Sequence, residues 1–172
     1  CYHAATVNHV PMKHCFPGDV EKLFLPLSFD LIASASTFQW FTTPEETFKK
    51  LSKRLEQRGV LVFSTFGKFN LREIRLTTGG GLDYRSKEEL EKMLKPYFEI
   101  ELIEEEFHML EFDSPLAVLQ HLKKTGVNVS GDPTIWTKGR VDAFIRDYNA
   151  RFAIDGKVVL TYHPLYFVCR RK

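Results

Sequence analysis

Apolar positions along this chain fall into short unbroken runs separated by amphipathic stretches, as expected for strands alternating with helices. Phe29 to Ala33 (FDLIA) is one such run, predicted as a parallel strand buried on both faces. The stretch after it has helical spacing. Phe48, Leu51 and Leu55 stand at i, i+3 and i+7, with Lys49, Lys50, Lys53 and Arg54 mostly off that stripe. Thr43 can cap the helix, Pro44 suits its first position, and Glu45 and Glu46 favour the positive end of its dipole. Gly59 reads as its terminator, and Val60 to Phe66 (VLVFSTF) as a second buried strand. Strand, helix and strand in this space predict a right-handed crossover with parallel pairing.

Residues 67–85 are less regular, although Asn70 to Leu76 has a helical pattern. The glycines at 79–81 make a flexible turn rather than a phosphate loop, which needs a strand before it and a helix after it. Ser86-Lys87-Glu88-Glu89 is a capping box opening a helix with Leu90, Met93 and Leu94 inward, stopped near Pro96. Phe98 to His108 alternates in part and is predicted as one strand with a wet face. Ser114-Pro115 starts a helix with Leu116, Leu119 and Leu122 inward, ending at Gly126. Residues 127–136 read as loop. Thr137 caps a further helix with Val141, Phe144, Ile145 and Tyr148 on one face. Lys157 to Arg170 is the last predicted strand, and its Pro164 argues for an edge position or a bulge.

The whole reads as one α/β domain over residues 1–172: the back half of an open sheet, with two helices inserted before the final strand. Ligands of such sheets bind beyond the carboxyl ends of the strands. Ser34 to Trp40 and Ser64 to Gly67 occupy those ends, so these segments are the expected binding rim.

Composition adds exclusions. The chain is 44% hydrophobic and 27% charged with a net charge of +2, which calls for neither nucleic acid nor an anionic membrane as partner. No apolar run is long enough for a membrane span. The sparse, odd set Cys1, Cys15 and Cys169 fits a reducing cytosol rather than a disulfide framework, which places the protein in the cytoplasm. Cys1, His3, His9, His14 and Cys15 crowd one end, but their spacing matches no common zinc site, so no metal is expected. Asn128-Val129-Ser130 matches a glycosylation sequon without a secretory context.

Three segments, GDVEKLFLPLSFDLI, SASTFQWF and LSKRLEQRGVLVFSTFGKFNLREI, resemble the later part of a class I S-adenosylmethionine-dependent methyltransferase. With HLKKTGVNV and the terminal LTYHPLYFVCRRK, the resemblance narrows to the malonyl-acyl carrier protein O-methyltransferases of biotin synthesis, from about Gly18 onward. Chains of that family begin with a helical segment, a first strand, a glycine-rich GxGxG turn near the cofactor and a second strand ending in an acidic residue. Neither motif occurs in these 172 residues.

The resemblance implies S-adenosylmethionine as cofactor and malonyl-acyl carrier protein, or malonyl-CoA, as substrate. It places Asp19 and Val20 at the adenine, Ser34, Ala35 and Ser36 near the methionine moiety, and Gln39 and Trp40 at the wall by the sulfonium. The alternatives are that Asp19 caps a turn and that Trp40 fills core. A malonyl carboxylate is already ionised at neutral pH and needs no general base. It needs alignment, water exclusion and a grip that does not tie up both oxygens. Tyr162 and His163 are the first candidates for that contact, ahead of Tyr84 and Arg85, although His163 reads equally well as a satisfied strand histidine. Residues 112–152 are expected as a lid or substrate wall. Lys123, Lys124, Lys68, Arg72 and Arg75 are candidates for docking an acidic carrier protein. Other readings are a class I methyltransferase with another small-molecule acceptor, a non-catalytic binding module and, more weakly, a dinucleotide dehydrogenase.

Overall fold

The computed structural model describes residues 18–25, 28–126 and 137–172. The N-terminal Cys and His cluster, the sequon and the loop at 127–136 lie outside these residues. Strand β1 (Phe29–Ser34) runs parallel to β2 (Leu55–Phe66), joined through helix α1 (Pro44–Ser52). Phe48 and Leu51 are buried as the helical spacing predicts. Leu55 is not on that helix. The Arg54 amide turns back to the Leu51 carbonyl, and Leu55 opens β2 opposite Phe29.

Gly59 does not terminate the helix either. It sits in an irregularity where the pairing jumps from Phe29 with Leu55 to Leu31 with Val60. A Cβ on Gly59 would stand 3.0–3.2 Å from the backbone oxygens of Glu56, Phe29 and Asp30. The strands approach here because that side chain is missing. Nor is β1 buried on both faces. It is the outer strand of the described sheet, and Leu31 is 57% exposed.

Helix α2 (Arg72–Thr78) begins later than the pattern from Asn70 suggests. The Leu71 amide is held by the Thr161 carbonyl, and Leu71 takes a left-handed φ of 51°. Helix α3 (Lys87–Leu94) has both halves of its capping box: Glu89 N donates to Ser86 Oγ, and Ser86 N to Glu89 Oε2. Its buried residues are Leu90 and Leu94, with Met93 packed beside them.

Two predicted strands each prove to be two. Phe98 to His108 divides into β3 (Phe98–Glu105) and the start of β4 (His108–Phe112). Lys157 to Arg170 divides into β6 (Lys157–Tyr162) and β7 (Pro164–Arg171). Between the two divided strands come α4 (Pro115–Lys124), α5 (Lys138–Phe152) and the short β5 (Ala153–Ile154). The main sheet has the order β1-β2-β7-β3, with β7 antiparallel to β2 and β3, and the second has the order β4-β6-β5. Both divided strands cross from one sheet to the other, and the Glu106 amide donates to the Pro164 carbonyl at the crossing. Pro164 therefore lies neither at an edge nor in a bulge. It is the first residue of a central strand, a position that tolerates its missing N–H.

Ser114 and Thr137 cap α4 and α5 through their side chains. On α4 the buried stripe is Val118 and Leu122. Leu116 is 43% exposed rather than inward, because it lies off the line that Val118 and Leu122 define at i, i+4. Helix α5 buries Phe144 and Tyr148, with Ile145 packed against the same cluster.

Each sheet has its own core. In the first, Phe38, Phe48, Phe63, Phe98 and Phe167 pack with Leu51, Leu61, Leu94 and Leu165 between the main sheet and helices α1 and α3. The Phe63 and Phe167 rings stack at 4.7 Å across the β2–β7 pair. Burying one such ring contributes about 1.5–3 kcal/mol. In the second, α2, α4 and α5 pack Ile74, Val118, Leu122, Phe144 and Tyr148 on Val158 and Leu160 of β6. The buried Tyr148 hydroxyl donates to the Val159 carbonyl at 2.8 Å. The other face of the main sheet carries Leu31, Val62, Leu102 and Tyr166, all exposed. No helix of the described residues is long and apolar enough to cross a membrane.

Candidate active site

The carboxyl ends of β1 and β2 are locked together. Ser36 N donates to the Ser64 backbone oxygen at 3.0 Å and to its hydroxyl at 3.2 Å. Ser36 takes a φ of 49°, turning the chain sharply off the strand. A short 3-10 turn, Phe38–Trp40, follows. Phe38 anchors it by packing against Phe48 and Phe63. Gln39 is oriented at both ends of its amide: Nε2 donates to the Ser36 carbonyl at 2.6 Å, and Oε1 accepts from the Thr65 hydroxyl at 3.3 Å. Trp40 does not fill core, since half of it (52%) is exposed.

Gln39 and Trp40 form one wall of an open pocket. Phe66, at the end of β2, lies between Tyr84 and Tyr162, with ring centroids 6.5 and 6.2 Å away. Ile74 and Arg75 of α2 and Asn70, Leu71, Gly81 and Leu82 beside that helix complete the lining. Five residues singled out in the sequence thus meet in one place: Gln39, Trp40, Arg75, Tyr84 and Tyr162. Arg85 lines an adjoining recess that shares Gln39 and Phe66.

Both tyrosines are protonated donors at neutral pH. Burial pushes the Tyr84 hydroxyl up, only partly offset by a hydrogen bond with Asn70 and the charge of Arg75. Burial likewise pushes Tyr162 up. The Tyr162 oxygen lies 2.9 Å from His121 Nε2 on α4. His121 and Asn70 escape a reading of the sequence. Each acts through a partner tens of residues away, and neither stands in a motif.

His163 is not a pocket residue. Its ring is 2% exposed and committed at both nitrogens. Nδ1 accepts from the Phe69 amide at 3.1 Å, so the proton is assigned to Nε2, which faces Glu105 Oε1 at 2.9 Å. Phe107 stacks on the ring at 4.2 Å. This is the satisfied strand histidine, and His163 has no nitrogen left to meet a substrate. Its backbone holds the pocket turn: Gly67 N donates to the His163 carbonyl, and His163 N to Asn70 Oδ1. Hydrogen bonds from Lys87 and His163 hold the Glu105 carboxyl below its usual range.

The remaining expected cofactor residues lie outside the pocket lining. Asp19 caps a turn by accepting from the Glu21 amide at 3.0 Å. The Val20 carbonyl accepts from Lys50 Nζ at 2.8 Å. Ser34 ends β1, and Ala35 and Ser36 follow it. Among the docking candidates, Lys68, Lys123 and Lys124 are exposed. Arg72 is paired at 3.0 Å with Glu73, and Arg75 belongs to the pocket.

A methyltransferase-domain family model matches residues 3–63. The malonyl-acyl carrier protein O-methyltransferase of Bacteroides helcogenes is 46% identical over 91% of this chain, and that of Bacteroides thetaiotaomicron 43% identical over 90%. The chain spans only 57% and 63% of their lengths. Among solved structures, the YcgJ protein of Bacillus subtilis superposes with a TM-score of 0.69 at 14% identity, covering 99% of this chain and 76% of that one. BH2331 of Bacillus halodurans, a candidate methyltransferase, superposes with a TM-score of 0.58 at 15% identity, covering 89% and 69%. The chain is thus similar in sequence to relatives named malonyl-acyl carrier protein O-methyltransferase, and it shares the α/β fold of these two solved structures.

Proposed function

We propose that this chain takes part in methyl transfer from S-adenosylmethionine to the free carboxylate of malonyl-acyl carrier protein, or of malonyl-CoA, the first committed ester of biotin synthesis. The observation that carries the reading is the pocket itself. It opens beyond the carboxyl ends of parallel strands and joins an aromatic wall at Trp40 to two tyrosine donors and one arginine. The names of the relatives supply the acceptor.

The rim fits the cofactor. Small side chains at Ser34, Ala35 and Ser36 leave backbone approachable, and the exposed indole of Trp40 offers an apolar face beside it. Asp19 and Val20 would meet the adenine end and Gln39 and Trp40 the sulfonium end. Bound there, the cofactor supplies a methyl group activated by positive sulfur. This chain's residues do the rest. The aromatic lining strips water from a carboxylate, which is a poor nucleophile when solvated. The Tyr162 hydroxyl, fixed by His121, orients the carboxylate by one hydrogen bond and leaves a lone pair free. Helix α4 backs the pocket through the contact of His121 with Tyr162, and residues 112–152 would serve as its lid or substrate wall. Lys123 and Lys124 at the end of α4 would steer an acidic carrier toward it.

The test is direct. The protein is incubated with S-adenosylmethionine and malonyl-acyl carrier protein, and the product is weighed by mass spectrometry. A methyl ester supports the reading; an unmodified malonyl group with the cofactor bound refutes the acceptor.

A further inference from the structure

Arg75 was expected on the docking surface for a carrier protein, and the fold puts it in the pocket instead. We propose that Arg75 determines specificity there: its guanidinium selects acyl groups that end in a free carboxylate over uncharged ones of the same size. This rests on the proposed methyl transfer and names the group that its substrate must carry.

Arg75 stands apart from the ion pairing on α2. Glu73, the acid of that helix, is fully buried and turned away: its oxygens accept from Thr161 N at 2.9 Å, Thr161 Oγ1 at 2.6 Å and Arg72 Nε at 3.0 Å. That satisfies Arg72 and leaves no carboxylate paired with Arg75 among the described residues. Arg75 is half-buried and lines the pocket together with its aromatic residues, with no carboxylate partner among the described residues. A cation so placed can take an anion through a charge-assisted hydrogen bond.

The side chain is also held in place. Nη1 donates to the Lys68 carbonyl at 2.9 Å. Gly81 packs on its stem so closely that a Cβ there would lie 2.8 Å from Arg75 Cγ, and Gly81 has a φ of 142° that other residues rarely adopt. The side chain is thereby held at the edge of a space bounded by Tyr84, Tyr162, Phe66 and Trp40, none of them ionised at neutral pH. One fixed cation among neutral aromatic walls suits a small anionic end on a short apolar chain. A carboxylate on a short acyl chain has that form. Methylation removes the negative charge, so the ester loses this contact and is released, while an acetyl group never gains it.

Binding is measured by calorimetry on the whole chain, with malonyl-CoA and acetyl-CoA as probes and S-adenosylhomocysteine present to block turnover. The wild type should prefer malonyl-CoA by roughly tenfold or more, the worth of one charge-assisted hydrogen bond. Arg75→Met should abolish that preference, Arg75→Lys should keep part of it, and Lys92→Met, a charge removed elsewhere, should keep all of it. A preference unchanged in Arg75→Met, or no preference in the wild type, overturns the proposal. Should Arg75→Met fail to fold, an undiminished preference in Arg75→Lys overturns it instead. The two readings fail separately. Malonyl selectivity through Arg75 without ester formation removes the reaction and keeps the subsite. Ester formation with equal KM in wild type and Arg75→Met does the reverse.

Discussion

The hydroxyl of Tyr162 and Nε2 of His121 stand 2.9 Å apart, joining the end of β6 to helix α4 across the pocket wall. One partner comes from the second sheet and the other from the helix packed over it, so the direction of the hydroxyl depends on the fit of both. Replacing Tyr162 with Phe keeps the ring and removes the donor. The proposed methyl transfer to malonyl-acyl carrier protein should fall about 10- to 100-fold, the size of one hydrogen bond to a charged group, with the melting temperature nearly unchanged. Full activity in Tyr162→Phe would remove the hydroxyl from the mechanism.

Glu73 should prove a structural residue of the first rank. It is fully buried, and its oxygens meet the amide and hydroxyl of Thr161. Glu73→Ala leaves both donors unpaired and should cost about 2–4 kcal/mol. Urea denaturation followed by circular dichroism measures this, and a loss under half a kcal/mol would contradict it.

The contact between Gly67 and His163 lends itself to a double-mutant cycle. A Cβ on Gly67 would stand 2.4–2.9 Å from the His163 ring atoms. Gly67→Ala alone should destabilise by about 1–3 kcal/mol through overpacking. In a His163→Ala background the same change should cost much less, since the clash is gone. Strict additivity of the two losses would show that the ring is not what excludes the methyl group.

Acid should loosen the rim through Glu21. Its oxygens accept from the amides and hydroxyls of both Thr42 and Thr43, which ties the 18–23 segment to the start of α1. Burial pushes this carboxyl up, but the bonds from Thr43 and Thr42 outweigh that and hold it below its ordinary 4.5. A carboxyl lowered on folding contributes its full stability above the unfolded value and loses it as pH falls through the folded one. The wild type should therefore lose stability below about pH 4.5 more steeply than Glu21→Gln, which has nothing to protonate there. Parallel pH curves for the two proteins in thermal melts would refute this.

The sequence spoke clearly where chemistry is local. The Ser86 capping box, the start of α1 at Pro44 and the stripes on α3 and α5 depend on neighbours within one or two turns, whereas the expected Thr43 cap is not made, because its hydroxyl donates to Glu21 instead. It spoke poorly where the partner is remote. Nothing near Leu55 says that Phe29 will pair with it, so the helical spacing claimed a strand residue. Nothing in KVVLTYHPLYFVCR marks where the chain changes sheets, because apolar spacing continues through the crossing at His163. The same limit shaped the site. Gln39, Trp40, Tyr84 and Tyr162 stand in segments with recognisable character, whereas Arg75 looked like surface until Glu73 was seen facing inward to Thr161.

Strand β7 follows the other strands of the described residues, yet it lies between β2 and β3, which meet only through it. During synthesis the ribosome therefore releases the β1–β2 pair and the lone strand β3 before the strand that joins them. Until β7 emerges, the inner edges of β2 and β3 present unpaired amides and carbonyls to any passing strand. The nascent chain is open to misassembly during that interval, and β7 is the strand that joins the two parts.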